Sequence, residues 1–177
     1  MNKSITKNLV LTSLFAAITA VLAQIAIPIG PVPFSLGIMG AFLAGLMLKP
    51  IWAFGSMLLY ITIGAIGIPV FASFGAGATT LFGKTGGYLL GYMAISFIIA
   101  LSYKIKNKLW CITIGMAVGL IICYAIGTIW FMFLTNSDLF AALSLCVFPF
   151  IIPDIMKAVF SYYLAAKIKK RLSAVMK

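Results

Sequence analysis

Two residues near the end of the chain have the types and spacing to do chemistry. In Phe150-Ile-Ile-Pro-Asp154-Ile-Met-Lys157 an aspartate and a lysine stand three positions apart inside an apolar run. On a helix, positions i and i+3 share a face, so Asp154 and Lys157 offer a carboxylate acceptor and three N–H donors to one spot. The sequence holds only two acidic residues. A charge pair in such surroundings is costly, which marks it as a candidate functional site. The structural alternative is an ion pair that ties two helices together.

Other chemistries fit the residues less well. One Asp beside one Lys could act as an acid–base pair, but no third group completes a nucleophile–base constellation. With no His and two acids, a zinc or di-metal carboxylate centre lacks ligands, so neither metal nor catalytic residue is expected. Cys111 and Cys123 fall on one predicted helix about 18 Å apart, too far to bridge, and Cys146 is isolated. Gly83-Lys84-Thr85 looks like the tail of a P-loop. That motif requires Gly where Ala78 stands, and a strand–loop–helix setting. What these groups suit is recognition of a small ligand with N–H donors and a carbonyl at one end and an acid at the other. Asp154 accepts from the N–H, Lys157 donates to the oxygen, and Lys84 neutralises the acid.

The elements that position these residues are transmembrane helices. The chain is 64% hydrophobic and 8% charged with a mean hydropathy of +1.20, against about 45–50% and about 25% in soluble proteins. Six spans of about 20 residues nearly exhaust the 177 residues, which predicts a single all-α membrane domain over 1–177. The segments run from about Leu9 to Ile27, Ser35 to Leu48, Ile51 to Ile68, Gly87 to Tyr103, Leu109 to Leu134, and Phe148 or Pro153 to Lys167. Between the first two, Pro28, Pro31 and Pro33 predict a stiff loop. Pro69 to Thr85 is too rich in glycine for a lipid-facing span and too apolar for a solvated linker, so a lid or re-entrant loop is expected. In the first segment Ala16, Ala20 and Ala23 form a small-residue stripe on which another helix can approach, within this chain or from a partner.

The net charge of +11 would suggest nucleic acid in a soluble protein; here it reads as topology. Of the thirteen basic residues, all but Lys84 and Lys157 fall at the N-terminus, in the second and fourth loops, or at the C-terminus (Lys3, Lys7, Lys49, Lys104, Lys106, Lys108, Lys167, Lys169, Lys170, Arg171, Lys177). That places both termini in the cytoplasm and the glycine-rich loop between helices three and four outside. Lys84 and Lys157 are the two that topology does not explain, and they can face one external cavity with Asp154.

Five stretches, taken together, resemble a known family. They are Pro31-Val-Pro-Phe34, Gly64-Ala-Ile-Gly-Ile-Pro-Val-Phe71, Lys84-Thr-Gly-Gly-Tyr-Leu-Leu-Gly91, Gly127-Thr-Ile-Trp130 and Phe148-Pro-Phe-Ile-Ile-Pro-Asp-Ile-Met-Lys-Ala158. In order and spacing they are similar to the biotin-specific substrate-binding (S) component of energy-coupling factor (ECF) transporters, the BioY family. The resemblance implies a multi-pass protein of a prokaryotic cytoplasmic membrane that binds biotin near the external face. It also implies a partner module of a transmembrane coupling subunit and two ATP-binding subunits. It assigns Asp154 and Lys157 to the ureido ring, and Ala16 and Ala20 to docking on the coupling subunit. Thr85, Gly86 and Tyr88 join the substrate-binding candidates, with a loop residue near Ser73. Many members have Gly-Pro-Thr-Gly-Gly where this chain has Gly83-Lys84-Thr85-Gly86-Gly87, so the carboxylate role of Lys84 is read from its charge. A self-sufficient secondary carrier is the competing reading; it would show internal repeats with broken helices, and no convincing repeat is visible.

Overall fold

A computed structural model describes residues 3–28, 30–105 and 108–175; Lys106 and Lys177, which enter the orientation argument, lie outside them. Among the described residues the order is α1 (Lys3–Gln24), β1 (Ala26–Ile27), β2 (Phe34–Ser35), α2 (Gly37–Met47), α3 (Pro50–Ala65), a 3-10 turn (Ala72–Phe74), α4 (Gly77–Leu81), α5 (Gly86–Ile105), α6 (Leu109–Thr135), α7 (Leu139–Cys146) and α8 (Phe148–Val175). By length and composition α1, α5 and α6 can cross a membrane alone. The pair α7 and α8, bent by 43° at Val147, passes the same test together. The six predicted segments each hold a helix, but α2 and α3 are short, with 11 and 16 residues. The sequence reading also left 139–146 unassigned, where α7 forms.

Central to the bundle is α2. Every residue from Gly37 to Leu46 is buried, as expected of a helix that is apolar all round. It packs on α1, α3, α5 and α8. Protein therefore surrounds it, and lipid does not set its length.

The helix pair with the most extensive contact is α5 and α6. Gly119 sits on Ile95, Gly91 on Cys123 and Gly127 on Tyr88; a Cβ added at Gly127 would fall on the Tyr88 ring. The contacts step in opposite directions along the two helices, so the pair is antiparallel, and small residues let the backbones approach.

The predicted stiff loop after α1 is a two-residue antiparallel hairpin, with Ala26 opposite Ser35 and Ile27 opposite Phe34. This short ladder, and an isolated bridge between Phe71 and Gly75, depart from an all-helical reading. The predicted lid contains the 3-10 turn and α4, and it is tied down at both ends. Gln24 Nε2 donates to the carbonyls of Pro69 and Phe71 at 3.4 and 3.2 Å, while its Oε1 accepts from the Phe74 N–H at 3.0 Å. Ser73 and Phe74 both carry positive φ, 57° and 59°, a strained state for non-glycine residues that surrounding contacts must hold. At the far end Trp130 Nε1 donates to the Gly83 carbonyl at 2.9 Å.

Candidate functional site: a buried ion pair on the floor of an aromatic cleft

Asp154 and Lys157 meet as their spacing requires. Lys157 Nζ lies 2.8 Å from Asp154 Oδ1, one turn along α8. The residues are 4% and 6% exposed, so neither charge has bulk water to stabilise it, and each must find partners within the protein. Tyr124 of α6 donates to the second carboxylate oxygen, Oδ2, at 2.7 Å. Lys157 donates to the Ser35 carbonyl at 2.8 Å, and its ammonium lies 3.9 Å from the centre of the Phe34 ring. The hairpin thus supplies two of the three groups around the cation. One is a carbonyl, and the other is a ring face that attracts positive charge.

The pair forms the floor of a narrow cleft with about 50 Å³ of free volume between β2, α2, α5, α6, α7 and α8. Phe150 lines one side, backed by the Phe34 ring with ring centres 6.5 Å apart, and Tyr88 and Tyr92 line the α5 side. Tyr88 OH stands 3.4 Å from Thr128 Oγ1. An apolar, aromatic enclosure with a few convergent polar groups is the usual form of a small-molecule site. Its carboxylate can accept from a ligand N–H and its ammonium can donate to a ligand carbonyl, while the walls pack a flat ring.

The other candidates are distributed unevenly. Tyr88 lines the cleft; Lys84, Ser73, Thr85 and Gly86 do not. Lys84 is exposed, four residues before Tyr88, and Ser73 is exposed at the lid turn. Gly86 is buried at the start of α5, and a Cβ there would fall on the Leu81 carbonyl. The Thr85 carbonyl accepts from the N–H groups of Tyr88 and Leu89, making it the first acceptor of that helix.

The Ala16 stripe is turned inward. Ala16 is 1% exposed, in a cluster with Ala23, Tyr60, Ile61, Phe71 and Leu89, and Ala20 packs at its edge. The outward side of α1 instead carries Val10, Ser13, Leu14, Ala17 and Val21. Ser13 and Ala17 are the small pair at i and i+4 on that side. The physical reason is that α1 packs through Ala16, Thr19 and Ala23 against α2, α3 and the lid.

Sequence reasoning missed Tyr124, Ser35 and Phe34 as partners of the ion pair. A tyrosine in the middle of an apolar helix is a signal, because its hydroxyl needs a partner when buried. The identity of that partner, 30 residues away, is not written in any local pattern. The Ser35 contribution comes from a backbone carbonyl and leaves no side-chain signal at all.

Known proteins resemble this chain in sequence and in fold. The chain is 40% identical over 163 residues to a probable biotin transporter BioY of Pyrococcus horikoshii, covering 92% of this chain and 96% of that protein. It is 37% identical over 165 residues to the biotin transporter BioY of Thermotoga maritima, covering 93% and 96%. A crystal structure of the S-component for biotin from an ECF-type ABC transporter superposes with a TM-score of 0.86 at 29% identity, covering 96% of this chain and 94% of that one. The BioY family model matches residues 1–174. With apolar helices, a cleft floored by a buried Asp–Lys pair and relatives matched along almost their full length, the chain is a multi-pass membrane protein that belongs to the BioY family.

Proposed function

We propose that this chain is the biotin-binding S component of an ECF-type importer. It captures biotin in the cleft above Asp154 and Lys157 and releases it only when an ATP-driven module engages it. The observation that carries this reading is the buried pair itself. The ureido ring of biotin has two N–H donors flanking one carbonyl, which matches a carboxylate beside an ammonium. The Phe34 and Phe150 rings and the tyrosines of α5 suit the apolar fused ring system. Like its relatives, the protein is a transporter and not an enzyme.

In this reading six elements cross the cytoplasmic membrane of a prokaryote: α1, α2, α3, α5, α6 and the bent α7–α8 unit. The termini are cytoplasmic, and the loop with the 3-10 turn and α4 is external. The excess of Lys at the ends of α1, α5 and α8 supports that orientation. A transmembrane coupling subunit and two ATP-binding subunits are the expected partners. The outward Ser13 and Ala17 of α1 are better placed than Ala16 for the coupling subunit to approach. Lys84 remains the candidate for the biotin carboxylate; it lies outside the cleft, so it can serve only a ligand tail that leaves the cleft beside Tyr88, or a loop that closes. The direct test is mass spectrometry of the small molecule that co-purifies with the detergent-solubilised protein. Biotin is the expected ligand, and a different compound retained at equal stoichiometry would overturn the assignment.

A further inference from the structure

A second depression, larger than the cleft, lies on the surface of the bundle. Helix α6 packs on α5 and α7, and α8 packs on α2 and α7, which leaves an apolar groove of about 490 Å³ between α6 and α8. Ala117, Leu120 and Ile121 line one wall, and Ile151, Ile155 and Val159 the other. Along α6 it extends from Leu109 to Tyr124, about 22 Å at 1.5 Å per residue. One leaflet of a bilayer contributes about half of a hydrocarbon core about 30 Å thick, so the groove is deep enough to take one lipid tail along its whole length.

The two ends differ in chemistry. At the Leu109 end stand Lys108, which precedes α6, and Lys167, one turn beyond Tyr163 on α8; both are exposed. Because i and i+4 share a helix face, Lys167 continues the side of α8 that Tyr163 presents to the groove. The opposite end closes on Tyr124, which lines the cleft as well as the groove. A strip that is basic at one end and apolar beyond it matches an amphiphile with an anionic head. A partner helix, apolar along its length, would leave the two lysines unanswered.

We infer that the groove between α6 and α8 binds one acyl chain of an anionic phospholipid, with the headgroup at Lys108 and Lys167. The terminal methyl then packs near the Tyr124 ring, on the far side of the residue that holds Asp154. Native mass spectrometry of the detergent-purified full chain tests this, using phosphatidylglycerol and phosphatidylcholine with identical tails. One phosphatidylglycerol should be retained in preference to phosphatidylcholine. Lys108→Gln and Lys167→Gln should each reduce that preference about five-fold, the contribution of one lysine near an anionic surface. Ala117→Phe, at an exposed position, should reduce retention of both lipids, whereas Val10→Phe on the outer side of α1 should change neither. Equal retention of the two lipids by the unmodified protein, or retention that ignores Ala117→Phe, overturns the proposal. So does an Ala117→Phe variant that keeps its lipid but no longer assembles with partner subunits, an outcome that would make the groove a protein-docking face.

Discussion

Lys157 donates a 2.8 Å hydrogen bond to the backbone carbonyl of Ser35, a residue 122 positions earlier in the chain. The bond joins the last helix to the hairpin that follows the first one, so the position of the cation depends on the hairpin register. A one-residue slip of that register would turn Phe34 and Ser35 to opposite faces. It would remove both the carbonyl and the ring from the ammonium.

Removing the charge of either member of the ion pair leaves its partner's charge buried without a counter-ion. Asp154→Asn and Lys157→Ala should each weaken biotin binding by about 1–3 kcal/mol, read by titration calorimetry of the solubilised protein. Unchanged affinity in both variants, with the same unfolding temperature, would reduce the pair to a structural tie between elements.

Tyr124→Phe removes the donor to Asp154 Oδ2 and keeps the ring. The ligand-free protein should lose about 1–3 kcal/mol of stability because one oxygen of a buried carboxylate loses its donor. Thermal unfolding in detergent, with and without biotin, measures it. A smaller deficit in the presence of biotin would mean that a ligand N–H replaces the phenol.

For Lys84 the discriminating measurement is a pair of ligands. If its charge reads the carboxylate, Lys84→Gln weakens biotin more than a neutral biotin amide, because only the acid has a charge-assisted contact to lose. Equal losses, or none, would leave the lysine as part of the exposed loop.

Bulk on the two sides of α1 should have opposite signatures. Ala16→Trp forces a ring into the cluster of Tyr60, Ile61 and Phe71, so stability and biotin binding fall together. Ala17→Trp adds the same ring on the outward side and should leave binding by the isolated protein intact. In the assembled importer it should abolish ATP-dependent uptake by holding the coupling subunit away. Uptake that survives Ala17→Trp would move the docking surface to another helix.

Much of the candidate site was legible in the chain because its signal is local. Asp154 and Lys157 stand out as charges in an apolar run, and their i, i+3 spacing on a helix brings them together without help from the rest of the fold. The break between α3 and α5 was legible as a glycine-rich stretch too polar for lipid. Its anchors were not, since Gln24, in the last turn of α1, reads as an ordinary polar helix end until Pro69, Phe71 and Phe74 are placed around it. The Ala16 stripe shows the opposite case. A small residue permits close approach by any helix, and nothing in its spacing tells an internal neighbour from an external one.

By itself the sequence determined that this is a helical membrane protein with one costly charge pair and a glycine-rich break between its third and fourth apolar runs. Hydrophobicity, Pro and Gly placement and helical spacing act over a few residues, so these properties can be read in order along the chain. Only the tertiary structure decided which groups complete the site. Tyr124 comes from α6 and the Ser35 carbonyl and Phe34 ring from β2, and they meet Asp154 and Lys157 because α2 draws α1, α5 and α8 around itself and α6 packs on α5. The same packing turned Ala16 inward and Ala17 outward. A buried ion pair requires several partners at fixed distances in a medium that screens little, and only the packed bundle holds them there.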